Sequence, residues 1–275
     1  MTHIPPDIYD TLRGFLAEDI GDGDVTSSLL PAADMHAKVI SREQAILAGI
    51  NFAQKIFEIG GASAHTTYSD GSAVEPGKTV LEVSGTAYSI LSSERTALNL
   101  LSRMSGIATR THTLVGMIKG YGVSLLATRK TAPGLRYFDK LAVEIGGGLP
   151  HRMALYDMIL IKDNHLAAGI TLEDAILKAK ETDYTVEVEV ENTRDAITAA
   201  RCKADIVMLD NFEPGQITKT LRKLETCGLR DQVKIEASGR INRSNVIEYA
   251  ATGVDMISSG SLTNDVQGVD YSLEA

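Results

Sequence analysis

Residues 186–212 read VEVEVENTRDAITAARCKADIVMLDNF and contain two short apolar runs, 186–190 and 206–209, separated by a segment with helical spacing. A strand, a helix and a strand in succession predict a βαβ unit, whose right-handed crossover makes the two strands parallel. The same alternation recurs on both sides of this segment. This alternation of strands and helices therefore determines the predicted fold class of the second half of the chain.

Four further apolar runs extend this repeat. They lie at 124–127, 158–161, 233–235 and 256–258, and helical patterns fill most of the gaps. Parallel strands in such a series predict a closed or nearly closed α/β barrel, although the standard barrel has more strands than this chain supplies. We therefore expect an irregular, incomplete TIM-like barrel.

The first third of the chain has a different pattern. Ile8, Leu12 and Leu16 recur at helical spacing, while β-like runs at 36–41 and 80–83 lie between turn-forming residues. This mixture is typical of an α+β domain.

A long helical stretch, residues 87–119, connects the two patterns, and its only expected interruption is at Ser105-Gly106. We place the domain boundary there. The predicted domains are residues 1–108 and residues 109–264.

Composition narrows the class of ligand. The 275-residue chain has a net charge of −9, which disfavours a nucleic-acid partner because such binding needs a basic surface. Its cysteines, Cys202 and Cys227, show neither a disulfide framework nor zinc-ligand spacing, so we expect a reducing cytoplasm. No run approaches the ~18 apolar residues of a membrane span. A small-molecule ligand is favoured.

Polar residues follow the predicted strands at their carboxyl ends, which carry the active site in an α/β barrel. Residues that only build a core would not be grouped in this way, so the grouping predicts a functional site. The residues at these positions are Arg129, Lys130, Lys162, Asp163, Asp210, Asn211, Ser238, Gly239 and Gly260.

Three of these residues, Arg129, Lys130 and Lys162, are cations in an acidic chain. Arginine grips carboxylate and phosphate bidentately and lysine acts as a point charge, so they predict a ligand with several negative groups. Arg136 and Lys140, by contrast, lie at helical spacing and are adequately explained by an exposed helix face.

His151 and Arg152 follow the glycine run 146–148. His151 is open to three interpretations, a general base, a ligand contact or a satisfied structural residue, because its titration range permits all of them. Contact with an anion is favoured, since glycine lets backbone and ligand approach closely. The glycine run alone is weak evidence, because it matches no phosphate-loop spacing.

Valine and glutamate alternate from residue 186, so Glu187, Glu189 and Glu191 share one face of a strand. An edge strand with a solvated face is one interpretation. Inside a parallel barrel that face would be the interior, where carboxylates are costly unless they meet cations. Glu189 and Asp210, on neighbouring strand ends, would suit hydrated Mg²⁺ or ribose hydroxyls.

Two Ser-Gly segments, 236–239 (EASG) and 258–261 (SSGS), end the last two predicted strands. Loops at this place in barrels often bind phosphate through backbone N–H groups. Ser-Gly pairs also occur in ordinary turns, but their presence at both late strands favours a phosphate site that includes Ser238, Gly239 and Gly260.

Together these motifs resemble the quinolinate phosphoribosyltransferase family. The resemblance implies an N-terminal α/β sandwich, to which residues 265–275 return, and a catalytic α/β barrel. It also implies that quinolinate and phosphoribosyl pyrophosphate yield nicotinate mononucleotide, pyrophosphate and CO2, with Mg²⁺, in NAD biosynthesis. The motifs are TRKTAPG (128–134), GGGLPHR (146–152), ILIKDNH (159–165), VEVEVEN (186–192), MLDNF (208–212), EASG (236–239), AEDIGDGDVT (17–26) and SERTALNLLSRMSG (93–106).

The resemblance further implies roles for individual residues. Arg95 would reach into the neighbouring subunit's site in a homodimer or a hexamer of dimers. One departure is Arg240, where the family commonly has a second glycine. The implied quinolinate-binding residues are Arg95, Arg129, His151, Arg152 and Lys162. The residues implied to face ribose, pyrophosphate and Mg²⁺, and to carry catalysis, are Lys130, Glu189 and Asp210. The residues implied to face the 5-phosphate are Ser238, Gly239 and Gly260.

Three alternatives remain open. A related group found with molybdate-transport genes shares two of the motifs, but the ILIKDNH and EVEVEN segments favour the quinolinate enzyme. A catalytically silent anion-binding protein is disfavoured by the presence of both Glu189 and Asp210. An aldolase or synthase would use Lys162 to form a Schiff base.

Overall fold

The first part of the chain alternates short strands with helices. The computed structural model describes residues 6–275. A short 3-10 helix, Ser27–Leu29, follows the first α-helix. The elements are α1 (Pro6–Ile20), β1 (Asp34–Ser41), β2 (Ala45–Ile46), α2 (Ile50–Ile59), β3 (Ser63–His65), β4 (Ala73–Val74), β5 (Thr79–Thr86) and α3 (Ala87–Ile118).

The second part has a regular alternation of strands and helices, as the apolar runs predict. A 3-10 helix, Arg230–Gln232, precedes one of the late strands. The elements are β6 (Ser124–Leu126), α4 (Arg136–Ile145), β7 (Ile159–Ile161), α5 (Asp163–Leu166), α6 (Leu172–Ala179), β8 (Val186–Val190), α7 (Thr193–Arg201), β9 (Ile206–Asp210), α8 (Pro214–Thr226), β10 (Lys234–Ser238), α9 (Val246–Ala250), β11 (Met256–Ser258), α10 (Ser261–Asn264) and β12 (Tyr271–Glu274).

Two compact units divide the chain, residues 6–110 with Val266–Ala275 and residues Thr111–Asp265. The first unit contains an antiparallel sheet of order β12-β1-β5-β3. Val39 at its centre is opposite Leu273 on one neighbour and Leu81 on the other. Helix α2 packs on β3 and β5, and α1 packs on α2. The result is a sheet covered by helices around an apolar core.

Helix α3 runs without a break through Ser105-Gly106, so the predicted interruption there is wrong. Gly106 serves close packing instead, because a Cβ at this position would overlap the carbonyl oxygen of Gln267. The neighbouring hydroxyl of Ser105 is buried and accepts a hydrogen bond from Tyr271 Oη at 3.0 Å. Burial raises the pKa of Tyr271 to about 12, which keeps this donor neutral.

The second unit is built on a six-stranded parallel sheet of order β6-β11-β10-β9-β8-β7. Strands β7 to β11 thus follow one another in chain order, and β6 lies beside β11. All six correspond to the six predicted apolar runs, within two residues at their amino ends. Strand β8 lies between two neighbours, so the edge-strand interpretation of its alternating glutamates is wrong.

The barrel is incomplete on one side. In the described part of the chain, β6 and β7 are not paired with each other, and the segment between them contributes one isolated parallel bridge, Leu126 to Leu149. Helices alternate with the strands throughout. The predicted fold class, an N-terminal sandwich followed by an irregular, incomplete α/β barrel, is confirmed.

None of the helices formed by residues 6–275 combines the length and the apolar character that a membrane span requires.

Candidate active site

A cavity of about 330 Å³ lies at the carboxyl ends of the barrel strands. Because the strands are parallel, all six deliver residues to this one place. Eight of the residues predicted from the sequence line it. The lining consists of Ala127, Thr128, Arg129, Lys130, His151, Arg152, Leu160, Lys162, Glu189, Met208, Asp210, Glu236, Ser238 and Ser258.

The cationic part of the lining is crowded and partly buried. Arg129 follows β6, and its Nε is buried without a hydrogen-bond partner among residues 6–275. The side chain of Arg152 is also buried, and burial, followed by repulsion from Arg129, lowers the pKa of Arg152. Two guanidinium groups held together in this way favour binding of an anion.

The acidic part of the lining comes from neighbouring strands. Glu189 lies on β8 opposite Met208 of β9, and Asp210 ends β9 two residues later. Lys162, which follows β7, forms an ion pair with Glu189. The cavity therefore holds both signs of charge, and the carboxylates of Glu189 and Asp210 lie at the ends of adjacent strands.

Capping and turn residues end β8 and β9 close to Glu189 and Asp210. The side chain of Asn192 accepts a hydrogen bond from the amide of Asp195 and so starts α7 directly after β8. Asn211, just after Asp210, has a left-handed backbone with φ of 55°. Its amide donates to the carbonyl oxygen of Ser238 at 2.9 Å, which ties the ends of β9 and β10 together.

The Ser-Gly segments lie beside the cavity. Ser238 lines it, whereas Gly239 and Gly260 do not. Gly239 has φ of 106°, and a Cβ there would lie 2.7 Å from the amide nitrogen of Asn211, so only glycine fits. A Cβ on Gly260 would lie 3.0 Å from Cδ of Lys130. Gly239 thus lets its loop approach Asn211, and Gly260 lets its loop approach the cavity residue Lys130.

Arg95 is on α3 in the first compact unit, with its side chain 63% exposed and 3.6 Å from Glu94. It does not line the cavity.

Comparison with known proteins agrees with this geometry. The chain matches the family model described as quinolinate phosphoribosyl transferase, N-terminal domain, over residues 24–105. The model of the C-terminal domain of the same family matches residues 107–274. The chain belongs to the quinolinate phosphoribosyltransferase family. The resemblance drawn from the motifs is thereby confirmed.

Individual relatives of the family cover nearly the whole chain. A probable nicotinate-nucleotide pyrophosphorylase [carboxylating] of Methanothermobacter thermautotrophicus is 43% identical over 97% of this chain and 98% of the relative. The corresponding protein of Archaeoglobus fulgidus is 42% identical over 91% and 97%. The solved nicotinate-nucleotide pyrophosphorylase of Francisella tularensis superposes with a TM-score of 0.92 at 40% identity, over 99% of this chain and 97% of that one.

Two buried glutamates were given no role by the sequence analysis. Glu187 on β8 and Glu236 on β10 are both 0% exposed, and Glu236 lines the cavity. Nε2 of His151 lies 2.9 Å from Oε2 of Glu187 and 3.7 Å from Oε2 of Glu236. For Glu187 the two-residue period was the available signal, because it placed the alternating glutamates in the barrel interior. Glu236 has no such signal.

The exposed-face interpretation of Lys140 is wrong, because this side chain is only 1% exposed. Its Nζ donates a hydrogen bond to the carbonyl oxygen of Pro150, immediately before His151. Burial, followed by repulsion from Arg136, lowers the pKa of Lys140 to about 8. Lys140 therefore anchors the loop that carries His151 and Arg152 into the cavity.

Proposed function

We propose that this chain catalyses the reaction of carboxylating nicotinate-nucleotide pyrophosphorylases, a pentosyl transfer in the de novo synthesis of NAD. Quinolinate and phosphoribosyl pyrophosphate would give nicotinate mononucleotide, pyrophosphate and CO2. The observation that carries the proposal is a cavity, in a chain of this family, that is lined by residues from all six barrel strands and holds both cations and carboxylates.

The cations account for recognition of the pyridine dicarboxylate. Arg129, Arg152 and Lys162 provide the positive charge, and the planar guanidinium groups match carboxylates in a bidentate geometry. His151 supplies a further nitrogen beside them. Two adjacent carboxylates on the ring would thereby be fixed, and the ring nitrogen would face the sugar donor.

Transfer needs no covalent enzyme intermediate. The lone pair of the pyridine nitrogen forms a bond to the anomeric carbon as the bond from that carbon to pyrophosphate breaks. Glu189 and Asp210 stabilise the positive charge that develops on the sugar, and Lys130 offsets charge on the departing pyrophosphate. The protein's further contribution is to hold the two substrates in the reactive orientation.

Decarboxylation then follows from the charge on the ring. The ribosylated nitrogen is positive, so it stabilises the electron pair that remains on the adjacent ring carbon when the bond from that carbon to the carboxylate breaks and CO2 departs. The same carbon then takes up a proton through this electron pair. This step requires no additional acid beyond the groups that already line the cavity.

Magnesium fits the acidic part of the site. Mg²⁺ is usually held by one or two carboxylates together with substrate phosphates and water, and Glu189 and Asp210 offer two carboxylates at adjacent strand ends. When bound, the ion neutralises charge on the pyrophosphate. Ser238, Gly239 and Gly260 would bind the 5-phosphate through backbone N–H groups at the same side of the barrel.

Arg95 is assigned to a second subunit, as part of a homodimer or a hexamer of dimers. Its 63% exposure and its position outside the cavity lining support this assignment. Mixing an Arg95→Ala chain with a Glu189→Ala chain tests it, because a mixed dimer would contain one intact site. Recovery of activity on mixing is expected, and no recovery would contradict the assignment.

We also propose a cytoplasmic location, which the free thiols of Cys202 and Cys227 support.

The activity is tested with the purified protein, quinolinate, phosphoribosyl pyrophosphate and Mg²⁺, with products identified by mass spectrometry. Nicotinate serves as the parallel substrate. Nicotinate mononucleotide from quinolinate alone is the expected result. Absence of product from quinolinate would contradict the proposed activity.

A further inference from the structure

We infer that Glu187 and Glu236 are positioning residues for His151, holding one of its ring nitrogens inside the barrel so that the other faces a carboxylate of the substrate. The inference rests on the proposed function, because it concerns how the same cavity recognises quinolinate. It gives a role to two buried side chains that the chemistry described above does not use.

The geometry places all three groups together. Glu187 and Glu236 come from β8 and β10, and in barrels it is alternate strands that point side chains into the same interior layer. Both glutamates are 0% exposed, and His151 is 11% exposed. The 2.9 Å and 3.7 Å contacts both involve Nε2, so this nitrogen faces the barrel interior.

The other ring nitrogen remains available. Nε2 of His151 is a buried atom, but Nδ1 is not, and Nδ1 has no hydrogen-bond partner in the part of the chain that the structure describes. The two nitrogens project from different edges of the imidazole ring. With Nε2 turned toward the glutamates, Nδ1 is the atom that can reach a ligand in the cavity that His151 lines.

The glutamates make no well-formed hydrogen bonds elsewhere. Within residues 6–275, none of the four carboxylate oxygens of Glu187 and Glu236 makes a hydrogen bond of good geometry, although Ser258 and Glu187 lie close enough to Glu236 to act on its pKa. Buried carboxylates in this state are costly to the folded protein. Stability therefore does not explain their presence, whereas control of the adjacent imidazole does.

The surroundings of Glu236 favour its neutral form. Burial, followed by the charge of Glu187, raises the pKa of Glu236 well above its usual range. The closer of the two contacts to Nε2 of His151, at 2.9 Å, is made by Glu187. Glu187 is therefore the main partner of the imidazole, and Glu236 contributes less.

The backbone at and before His151 supports a fixed orientation of the imidazole ring. His151 has a left-handed backbone with φ of 54°, a conformation that a residue with a side chain keeps only when its surroundings impose it. Lys140 holds the carbonyl of Pro150 on one side. The contact with Glu187 holds the ring on the other.

The same three groups also form a donor set for a divalent transition metal ion. The nearby charges disfavour that use, because Lys162 acts on Glu236, and Arg152 lies close enough to interact with both Glu187 and Arg129. These cations would repel a metal ion but suit a dicarboxylate.

The test compares Glu187→Gln and Glu236→Gln with a matched control, Glu191→Gln, which changes an exposed residue just beyond the same strand. Glu187→Gln is expected to raise the quinolinate KM about tenfold or more, because it removes the charged partner of the imidazole. Glu236→Gln is expected to have a smaller effect, since the amide resembles the protonated acid. Glu191→Gln is expected to behave as wild type.

Three further readouts separate positioning from a structural role. For Glu187→Gln, kcat and the phosphoribosyl pyrophosphate KM are expected to stay within about twofold of wild type, because the loss concerns quinolinate binding alone. The melting temperature is expected to be unchanged or higher, because a costly buried charge is removed. In a His151→Asn background, Glu187→Gln should add no further rise in quinolinate KM.

The outcomes are distinguishable from failure of the proposed function. If wild-type protein makes no product from quinolinate, the proposed function fails before any variant is compared. If wild type is active but Glu187→Gln keeps the wild-type quinolinate KM, only the inference is overturned. A fall in melting temperature with parallel losses in every kinetic constant, or a stoichiometric transition metal in the purified wild type, would also overturn it.

Discussion

Charged side chains at the two ends of the barrel differ in whether they have hydrogen-bond and ion-pair partners. At the amino end, Asp205 and Asp255 immediately precede β9 and β11. Asp205 accepts the amide of Val186 at 2.7 Å, and Asp255 accepts the amide of Ile235 at 2.8 Å. Each carboxylate thus ties the start of its own strand to the start of the neighbouring strand.

The same two aspartates are also neutralised by cations. Lys180 lies 2.8 Å from Asp205, and Arg230 lies 3.1 Å from Asp255. Lys234 adds a second contact to Asp255 at 3.2 Å. The amino end is therefore a set of satisfied ion pairs and backbone hydrogen bonds.

At the carboxyl end Lys162 pairs with Glu189, but other polar groups are left without a well-formed hydrogen bond in the part of the chain that the structure describes. These groups are Nε of Arg129, the carboxylates of Glu187 and Glu236, and the hydroxyl of Ser258, all of them buried. This arrangement costs stability. Charged groups at the amino end therefore stabilise the sheet, whereas those at the carboxyl end are available to bind a ligand, as is general for α/β barrels.

Glu189→Ala tests the carboxyl end with the largest expected effect. We expect kcat to fall about a hundredfold, because a preorganised charge that stabilises the developing sugar cation is lost. The quinolinate KM should change only modestly. Steady-state kinetics measure both, and wild-type turnover would remove Glu189 from the mechanism. Glu191→Ala is the matched control, since this residue is exposed and lies two positions further on.

Arg129→Ala should affect binding more than turnover. We expect the quinolinate KM to rise about ten- to a hundredfold, because a partly buried cation meant for a substrate carboxylate is lost. Kinetics with quinolinate as the varied substrate provide the measurement. Arg201→Ala, in the last turn of α7, is a control for removal of an exposed arginine. Unchanged KM and kcat in Arg129→Ala would refute the assigned role.

Asp255→Ala tests the amino end of the barrel. Unlike the two variants above, it should reduce stability and leave the kinetic constants unchanged. We expect the free energy of unfolding to fall by about 1–3 kcal/mol, because the amide of Ile235 loses its side-chain acceptor and Arg230 loses its acidic partner. Both KM values and kcat should remain those of wild type. Denaturant unfolding and kinetics on the same preparation measure the two effects. A kinetic defect without loss of stability would contradict a purely structural role for the amino end.

The parts of this fold that the sequence predicts well depend on neighbours in the chain. The six barrel strands are apolar runs bounded by polar residues, so their existence follows from local pattern alone. Convergence of Arg129, Lys162, Glu189 and Asp210 also follows, because parallel strands bring their carboxyl ends to one edge. This is why eight predicted site residues line one cavity.

The features that the sequence does not reveal depend on distant contacts. The sequence pattern predicts a helix break at Gly106, but the small size of this residue is required by the returning segment that contains Gln267. Lys140 has the spacing of an exposed helical residue, and only the carbonyl of Pro150 explains its burial. Glu236 is a single glutamate in an apolar strand, with no periodicity to mark it. In each case the partner is fixed by tertiary structure.

Arg240→Gly has the smallest expected effect and tests the backbone conformation at the carboxyl end of the barrel. Arg240 has φ of 53°, which costs roughly 1–2 kcal/mol in a residue with a Cβ. Glycine removes this strain but adds about 0.5–1 kcal/mol of unfolded-state entropy, so we expect a net gain of about 0.5–1 kcal/mol in the free energy of unfolding. The phosphoribosyl pyrophosphate KM should rise a few-fold, because a cation beside the proposed phosphate loop is lost.

Lys203→Gly is the matched control, since Lys203 has a similar φ of 63° just before the amino end of β9. It should gain stability to a similar extent without any change in the phosphoribosyl pyrophosphate KM. If both variants gain stability and neither changes that KM, Arg240 has no contact with phosphate. If only Arg240→Gly changes the phosphoribosyl pyrophosphate KM, Arg240 contributes to binding of this substrate, whereas Lys203, which has a similarly strained backbone near the amino end, does not.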